Sequence, residues 1–399
     1  MGKIIDLGEM YLAKNYKREG LAFVKGKGTR LFTEEGEEYL DLTSGIAVCN
    51  LGHAHPLLVE EIKKQAELLW HTSNLYWTEP QVLLAEKLCQ LSFAERVFFA
   101  NSGAEAIEAS LKLARRWAYE NFGKKKREII ALKNSFHGRT FGALSITGQP
   151  HYWEGFEPLL PEIKFVSPNN INELEETISE KTCALVLEPI QGEGGIIPLE
   201  KSFLEFAREL CNKHKVLLVF DEIQTGIGRT GSLFAYEHFG IEPDVMCLAK
   251  ALANGLPLSA VLAKEDIFSA LKPGTHASTF GGNPIACRVG VKVLEIVSEK
   301  TFLEEVSLKG KVLKEKLEKY AEKFKDVIKE VRGLGLLIGI EFFEKEIAGK
   351  IYKELLKRRI LTTMPKPQVI RLSPPLIINW REIDFFVENF EDILYNITK

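Results

Sequence analysis

No stretch of the 399-residue sequence approaches the roughly eighteen consecutive apolar residues of a membrane-spanning helix, so no membrane partner is expected. Charge of one sign is lacking too. Lys and Arg number 52 against 55 Asp and Glu, a formal net charge of -3, which removes the simplest electrostatic case for nucleic acid as the main partner. The N-terminal MGKIIDLGEMYLAK carries acids within its apolar stretch and has no signal-peptide core. Cysteine is sparse: Cys49, Cys89, Cys183, Cys211, Cys247 and Cys287 form no C-x-x-C pair, and most lie among apolar neighbours. Buried reduced thiols in a cytoplasmic protein are the expected state. No cluster completes a metal site around the H-x-H pair His53 and His55, so no metal is expected. Short-period repeats, low-complexity tracts and Pro/Ser-rich linkers are missing as well, which points to domains sharing a packed interface.

One lysine stands out because charge is absent around it. Between Asp244 and Lys264 the chain reads VMCLAKALANGLPLSAVLA, where Lys250 is the only charged side chain. Apolar surroundings favour the neutral amine and make it a nucleophile toward carbonyls; the ordinary alternative is a lysine snorkelling from a helix. Asp221 weighs against that alternative. It closes a second apolar run, Val216–Phe220. A lysine and an aspartate, each ending a buried strand, match what pyridoxal phosphate requires: an amine for the Schiff base and a carboxylate to keep the pyridinium nitrogen protonated.

From about residue 95 to 265, short apolar runs alternate with helical stretches. The runs Val97–Ala100, Ile129–Leu132, Ala184–Leu187, Val216–Phe220, Val245–Ala249 and Ala260–Ala263 predict an α/β fold with a mostly parallel, doubly covered sheet. Ligands in such sheets sit beyond the carboxyl ends of the strands. Before this region the pattern predicts a helix and a small β-meander, then a helix opened by Pro56 with Val59, Ile62, Ala66 and Leu69 on one face. After Pro284 it predicts a helix and a smaller α+β region, with strands near Val331–Phe342 and Val369–Leu372 and a closing helix from Glu382.

Several strand ends carry polar and glycine-rich blocks. Asn101-Ser102-Gly103-Ala104-Glu105 contains an S-x-x-E capping box, and its glycine would let a phosphate approach the free N–H groups of the helix start. Capping alone also explains that pattern. In Ser135-Phe136-His137-Gly138-Arg139-Thr140, Phe136 suits stacking on a planar ring and Arg139 suits gripping a carboxylate; core packing and a surface charge are the ordinary readings. Glu188-Pro189-Ile190-Gln191-Gly192-Glu193-Gly194-Gly195 again puts acids and glycines after a strand, and one of those acids suits capping the next helix. Gly226-Ile227-Gly228-Arg229-Thr230-Gly231 matches G-x-G-x-x-G formally. It is separated from its strand and starts no clear βαβ unit, so a dinucleotide site is rejected.

The order NSGAEA, SFHGRT, EPIQGEGG, DEIQTGIGRTG, LAKALANGLP, HASTFGGNP resembles the class III (ω-amino) aminotransferases of pyridoxal phosphate fold type I, over Asp41 to at least Leu376. The resemblance implies a large domain with a seven-stranded, mostly parallel sheet and a smaller α+β domain built from both chain ends. The division expected is residues 1–50 for an N-terminal segment of the small domain, 51–290 for the large domain and 291–399 for the rest of the small domain. It implies that Lys250 carries the cofactor and shuttles the proton, and that Asp221 holds the ring nitrogen. Gln224 would bond the phenolic oxygen, Phe136 and Ile223 would sandwich the ring, and Ser102, Gly103 and Ala104 would hold the phosphate. Ser278 and Thr279 would reach the neighbouring subunit's site, making a homodimer with shared active sites.

For substrates, the resemblance gives Arg139 the α-carboxylate of the amino donor and Arg371 that of glutamate or 2-oxoglutarate. Glu193 would neutralise Arg371 when the other substrate is bound. The blocks SGIAVCNLGHAHP, HASTFGGNP and RLSPPL are most similar to members acting on acylated ornithine. They imply transfer of the distal amine of N-acetylornithine to 2-oxoglutarate, giving N-acetylglutamate 5-semialdehyde and glutamate, in two half-reactions. Ornithine, 4-aminobutyrate, succinylornithine and succinyldiaminopimelate are the alternative donors. At Ile46 the ornithine-specific members typically carry a tyrosine, whereas an aliphatic residue fits an acylated donor. An aminomutase of the glutamate-1-semialdehyde type is the competing reaction class.

Overall fold

The structure, a computed structural model, describes residues 2–398. Its centre is a seven-stranded sheet in the order Arg96–Ala100, Ser259–Ala263, Val245–Leu248, Leu217–Asp221, Thr182–Leu187, Glu128–Leu132, Ile163–Val166. Ser259–Ala263 runs antiparallel to both neighbours, and the other neighbouring pairs are parallel. The inner strands read as unbroken apolar runs because both faces are covered. Leu185, Leu187, Leu218 and Phe220 point to one core, where Phe203, Leu204 and Ala207 of the helix Lys201–His214 meet them. Ala184, Val186, Leu217 and Val219 point the other way, to Ala106, Ile107, Ala114 and Ala118 of the helix Gly103–Phe122. Each buried Phe or Leu contributes about 1.5–3 kcal/mol by leaving water.

The smaller part has two sheets. One orders Ile328–Leu334, Leu337–Phe342, Val369–Leu372, Thr363–Lys366; the other joins Phe23–Lys27, Arg30–Thr33 and Glu38–Asp41 to Ile360–Leu361, so strands from both ends of the chain share a sheet. Leu40 and Leu42 accordingly share a core with Ile360, Leu376, Phe386 and Phe390.

Three expectations need correction. The edge strand Ile163–Val166 had no counterpart among the apolar runs: it is short, includes the exposed Lys164, and pairs on one side only. The single strand near Val331–Phe342 is a hairpin, turning at Gly335 with φ +54°, where a side chain would strike the Thr230 backbone. The helix opened by Pro56 ends at Ala66, leaving Leu69 exposed, while Leu58 and Gln65 are its buried residues.

The G-x-G-x-x-G segment is packing. A Cβ on Gly228 would meet Val297 at 2.6 Å, and one on Gly231 would meet Ser307 at 2.9 Å, which leaves no approach for a phosphate. Its Arg229 is fully buried and donates to Leu336 O (3.0 Å), Pro374 O (2.6 Å), Ser44 Oγ (3.2 Å) and Asn50 Oδ1. Burial pulls the Arg229 guanidinium down to about 9. Among the described residues, no helix is long and apolar enough to cross a membrane.

Candidate active site

A cleft opens where the strands of the large sheet end, lined by Gly103, Ala104, Phe136, His137, Gly138, Glu188, Glu193, Asp221, Ile223, Gln224 and Lys250. The topology explains the gathering. Asp221 is the last residue of its strand, Glu188 follows Thr182–Leu187, and Lys250 lies just past Val245–Leu248 at φ +40°. A non-glycine residue at positive φ is uncommon and clusters at functional sites.

Lys250 has no hydrogen-bond or ion-pair partner among the described residues. Burial lowers its ammonium to about 8, opposed by the charges of Glu193, Asp221 and Glu188 and reinforced by Arg371. Asp221 Oδ2 lies 2.7 Å from His137 Nδ1, and Oδ1 accepts from Ile223 N at 3.0 Å. His137 is buried; desolvation works against its charged form, but the bond to Asp221 and the charges of Asp221 and Glu188 raise its pKa. Its Nε2 is buried without a partner. Glu188 accepts from Phe136 N (2.9 Å) and Gly192 N (3.1 Å), and burial pushes its carboxyl up to about 7.

Arg371 is almost wholly buried. It donates to Thr363 Oγ1 (3.0 Å), to Gln224 Oε1 (3.3 Å) and to Glu193 in an ion pair. Burial works against the Glu193 carboxylate, yet Arg371 outweighs it and holds the pKa below the usual range. Gly192 makes room for this arrangement, because a Cβ there would lie 1.9 Å from Gln224 Oε1. Arg139 stands outside the cleft lining, with its guanidinium carbon 3.5 Å from the Tyr152 ring centroid and no carboxylate partner among the described residues. Ser102 caps its helix, accepting from Glu105 N at 3.3 Å and donating to Glu105 Oε2 at 2.9 Å. Ser278 and Thr279 line a different cleft, with Ser73, Asn74, Leu75 and Gln81. Within one chain they are not brought to Lys250.

These residues suit pyridoxal phosphate. The Gly103 and Ala104 N–H groups, first in a 20-residue helix, have no acceptor among the described residues and line the cleft, forming an anion cradle. Lys250 supplies a desolvated amine, Asp221 a buried carboxylate bonded to the His137 imidazole, and Phe136 and Ile223 apolar surface for a planar ring. His137, Glu188 and Gly138 carried no site assignment from the sequence. For His137 the signal was only its place between Phe136 and Gly138, since its partner lies 84 positions away.

The class-III aminotransferase family matches residues 11–394. The acetylornithine aminotransferase of Caldanaerobacter subterraneus subsp. tengcongensis is 49% identical over 99% of this chain and 100% of its own length. The succinylornithine transaminase of Citrobacter koseri is 47% identical over 92% of this chain and 91% of its own. Among solved structures, the ornithine aminotransferase of Toxoplasma gondii superposes with a TM-score of 0.95 at 32% identity, covering 99% of this chain and 95% of that one.

Proposed function

The chain belongs to the class-III aminotransferases, and from that premise we propose that it moves the distal amino group of N-acetylornithine to 2-oxoglutarate. The products are N-acetylglutamate 5-semialdehyde and glutamate. The observation that carries this reading is the Arg371–Glu193 pair in the cleft that holds Lys250. The donor reacts at its distal amine and the acceptor at its α-carbon, so one pocket must accept an α-carboxylate beside the reacting centre in only one half-reaction. A buried arginine left unpaired is costly. Glu193 supplies the missing charge when the donor is bound and yields Arg371 to the α-carboxylate of 2-oxoglutarate.

Pyridoxal phosphate, when bound, would supply the carrier for the amino group and a ring that serves as electron sink. Gly103 and Ala104 offer backbone N–H groups to the phosphate, with Ser102 holding the helix start. Phe136 and Ile223 would pack the ring faces, and Gln224 would bond the phenolic oxygen. Asp221 would face the ring nitrogen and favour its protonated form, and His137 orients Asp221 through their hydrogen bond. Lys250 Nζ would hold the cofactor and serve as the proton carrier at the reacting carbon; its lowered pKa suits it to move a proton near neutrality. Arg139, stacked on Tyr152 and 5.2 Å from the ring of the cleft-lining Phe136, takes the donor's α-carboxylate.

Ile46 bears no hydroxyl for a free α-amine, which favours an acylated donor. A homodimer with shared sites is supported by Leu75, Tyr76 and Trp77, 84%, 67% and 92% exposed beside the cleft of Ser278 and Thr279. Six free cysteines, four of them buried, support a cytoplasmic location. The Arg371–Glu193 pair also argues against an aminomutase, which admits no second substrate. Assay of an amino-donor panel with 2-oxoglutarate tests the reading: acetylornithine should lead, ahead of succinylornithine, ornithine, succinyldiaminopimelate and 4-aminobutyrate. Turnover without any added oxo acid would overturn it in favour of the mutase.

A further inference from the structure

Glu193 sits on a loop whose freedom is limited at both ends. Glu188 Oε2 accepts from Gly192 N at 3.1 Å on one side. On the other, Arg332 donates to Gly195 O at 2.7 Å and Ile196 O at 3.0 Å. Between those anchors lie Glu193 and Gly194, followed by Gly195 at φ +111°. When a substrate carboxylate takes Arg371, the Glu193 side chain must leave it yet stay near the cleft.

One cation beside this loop has no carboxylate partner among the described residues. Lys366 ends the strand Thr363–Lys366, which pairs with the Arg371 strand. Its stem lies along the loop, with Cγ 3.6 Å from the position of a Cβ on Gly195. Among the described residues its ammonium, partly buried, donates only to the neutral Gln149 Oε1 at 2.6 Å. Arg332, the other cation there, is already paired with Glu330 and Glu341. Desolvation lowers the Lys366 pKa, and Glu193 is the one charge that opposes the shift.

We propose that Lys366 receives the Glu193 carboxylate whenever a substrate carboxylate occupies Arg371, so that the switch moves between two cations. The proposal deepens the divided-carboxylate reading above and rests on it. Lys366 is then a positioning residue for the 2-oxoglutarate and glutamate half-reaction, with no part in the acylornithine half.

The two halves, followed separately by cofactor absorbance in the holoenzyme, test this. Lys366→Met keeps the alkyl stem and should raise the apparent KM for 2-oxoglutarate about tenfold, the scale of one charge-assisted hydrogen bond, while leaving the acetylornithine half unchanged. Lys366→Arg should restore the original value. In a Glu193→Gln background Lys366→Met should have no effect, since the two act as a unit. A Lys366→Met defect that persists in that background, or that slows both halves equally, overturns the proposal. The Glu193→Gln single variant separates the two levels. If it shifts preference from acetylornithine toward glutamate but shows no coupling to Lys366, the two-cation switch fails and the divided-carboxylate reading stands. If it shifts nothing, both fail.

Discussion

The Asp221 carboxylate meets the His137 imidazole at 2.7 Å, 84 positions away in the chain, with both side chains buried in the cleft lining. The relationship gives Asp221 its use. The bond fixes the carboxylate in place, and in turn Asp221 and Glu188 raise the His137 pKa against the pull of desolvation.

His137→Asn should therefore retain a hydrogen bond near Asp221 but lose the titratable imidazole, and His137→Phe should lose both. Both should bind cofactor, with kcat reduced about tenfold for Asn and further for Phe, tenfold corresponding to about 1.4 kcal/mol of barrier. Asp221→Ala should still bind cofactor and lose about two to three orders of magnitude in rate, as when a preorganised electrostatic group is removed. Single-turnover rates with acetylornithine check the order.

Borohydride reduction of the holoenzyme and peptide mapping should place the pyridoxyl group on Lys250, and Lys250→Ala should bind substrate without turnover. Label on another lysine would contradict the site assignment.

The fold was legible where one physical signal dominates. Inner strands such as Leu217–Asp221 are apolar because both faces are buried, and Lys250 was visible because nothing near it in sequence is charged. The site was legible only in part. Glu188 showed itself as an acid after a strand, but its hydrogen bonds to Phe136 and Gly192 depend on two loops meeting in space. The G-x-G-x-x-G match around Arg229 is already rejected as a dinucleotide site from the sequence, but the burial of Arg229 between Leu336, Pro374 and Asn50 is a matter of tertiary packing. The edge strand Ile163–Val166 carries too little apolar surface to announce itself.

His53 gives the protein a pH-dependent component of stability. Its Nε2 lies 2.7 Å from the buried Asp41, and that bond first, with a lesser contribution from Cys49, raises its pKa from 6.5 to about 9. A raised folded-state pKa means the native state binds more protons across this window. The stabilisation is complete below about 6.5 and is lost as pH climbs through about 9. His53→Gln should lower Tm at pH 6 and flatten its decline between pH 6.5 and 9 in calorimetric scans.

Mixing Lys250→Ala with Thr279→Arg should restore activity after subunit exchange, because a shared-site heterodimer holds one intact site. Full activity in a strictly monomeric protein would refute site sharing.

The most direct test of the central claim compares the two half-reactions in Arg371→Ala and Arg139→Ala. Losing a charged partner in a desolvated site costs about 2–5 kcal/mol of binding to the group left unpaired. Arg371→Ala should damage the 2-oxoglutarate half far more than the acetylornithine half, and Arg139→Ala should impair capture of acetylornithine. Equal slowing of both halves by both variants would contradict the division of carboxylates and make Arg371 a structural residue.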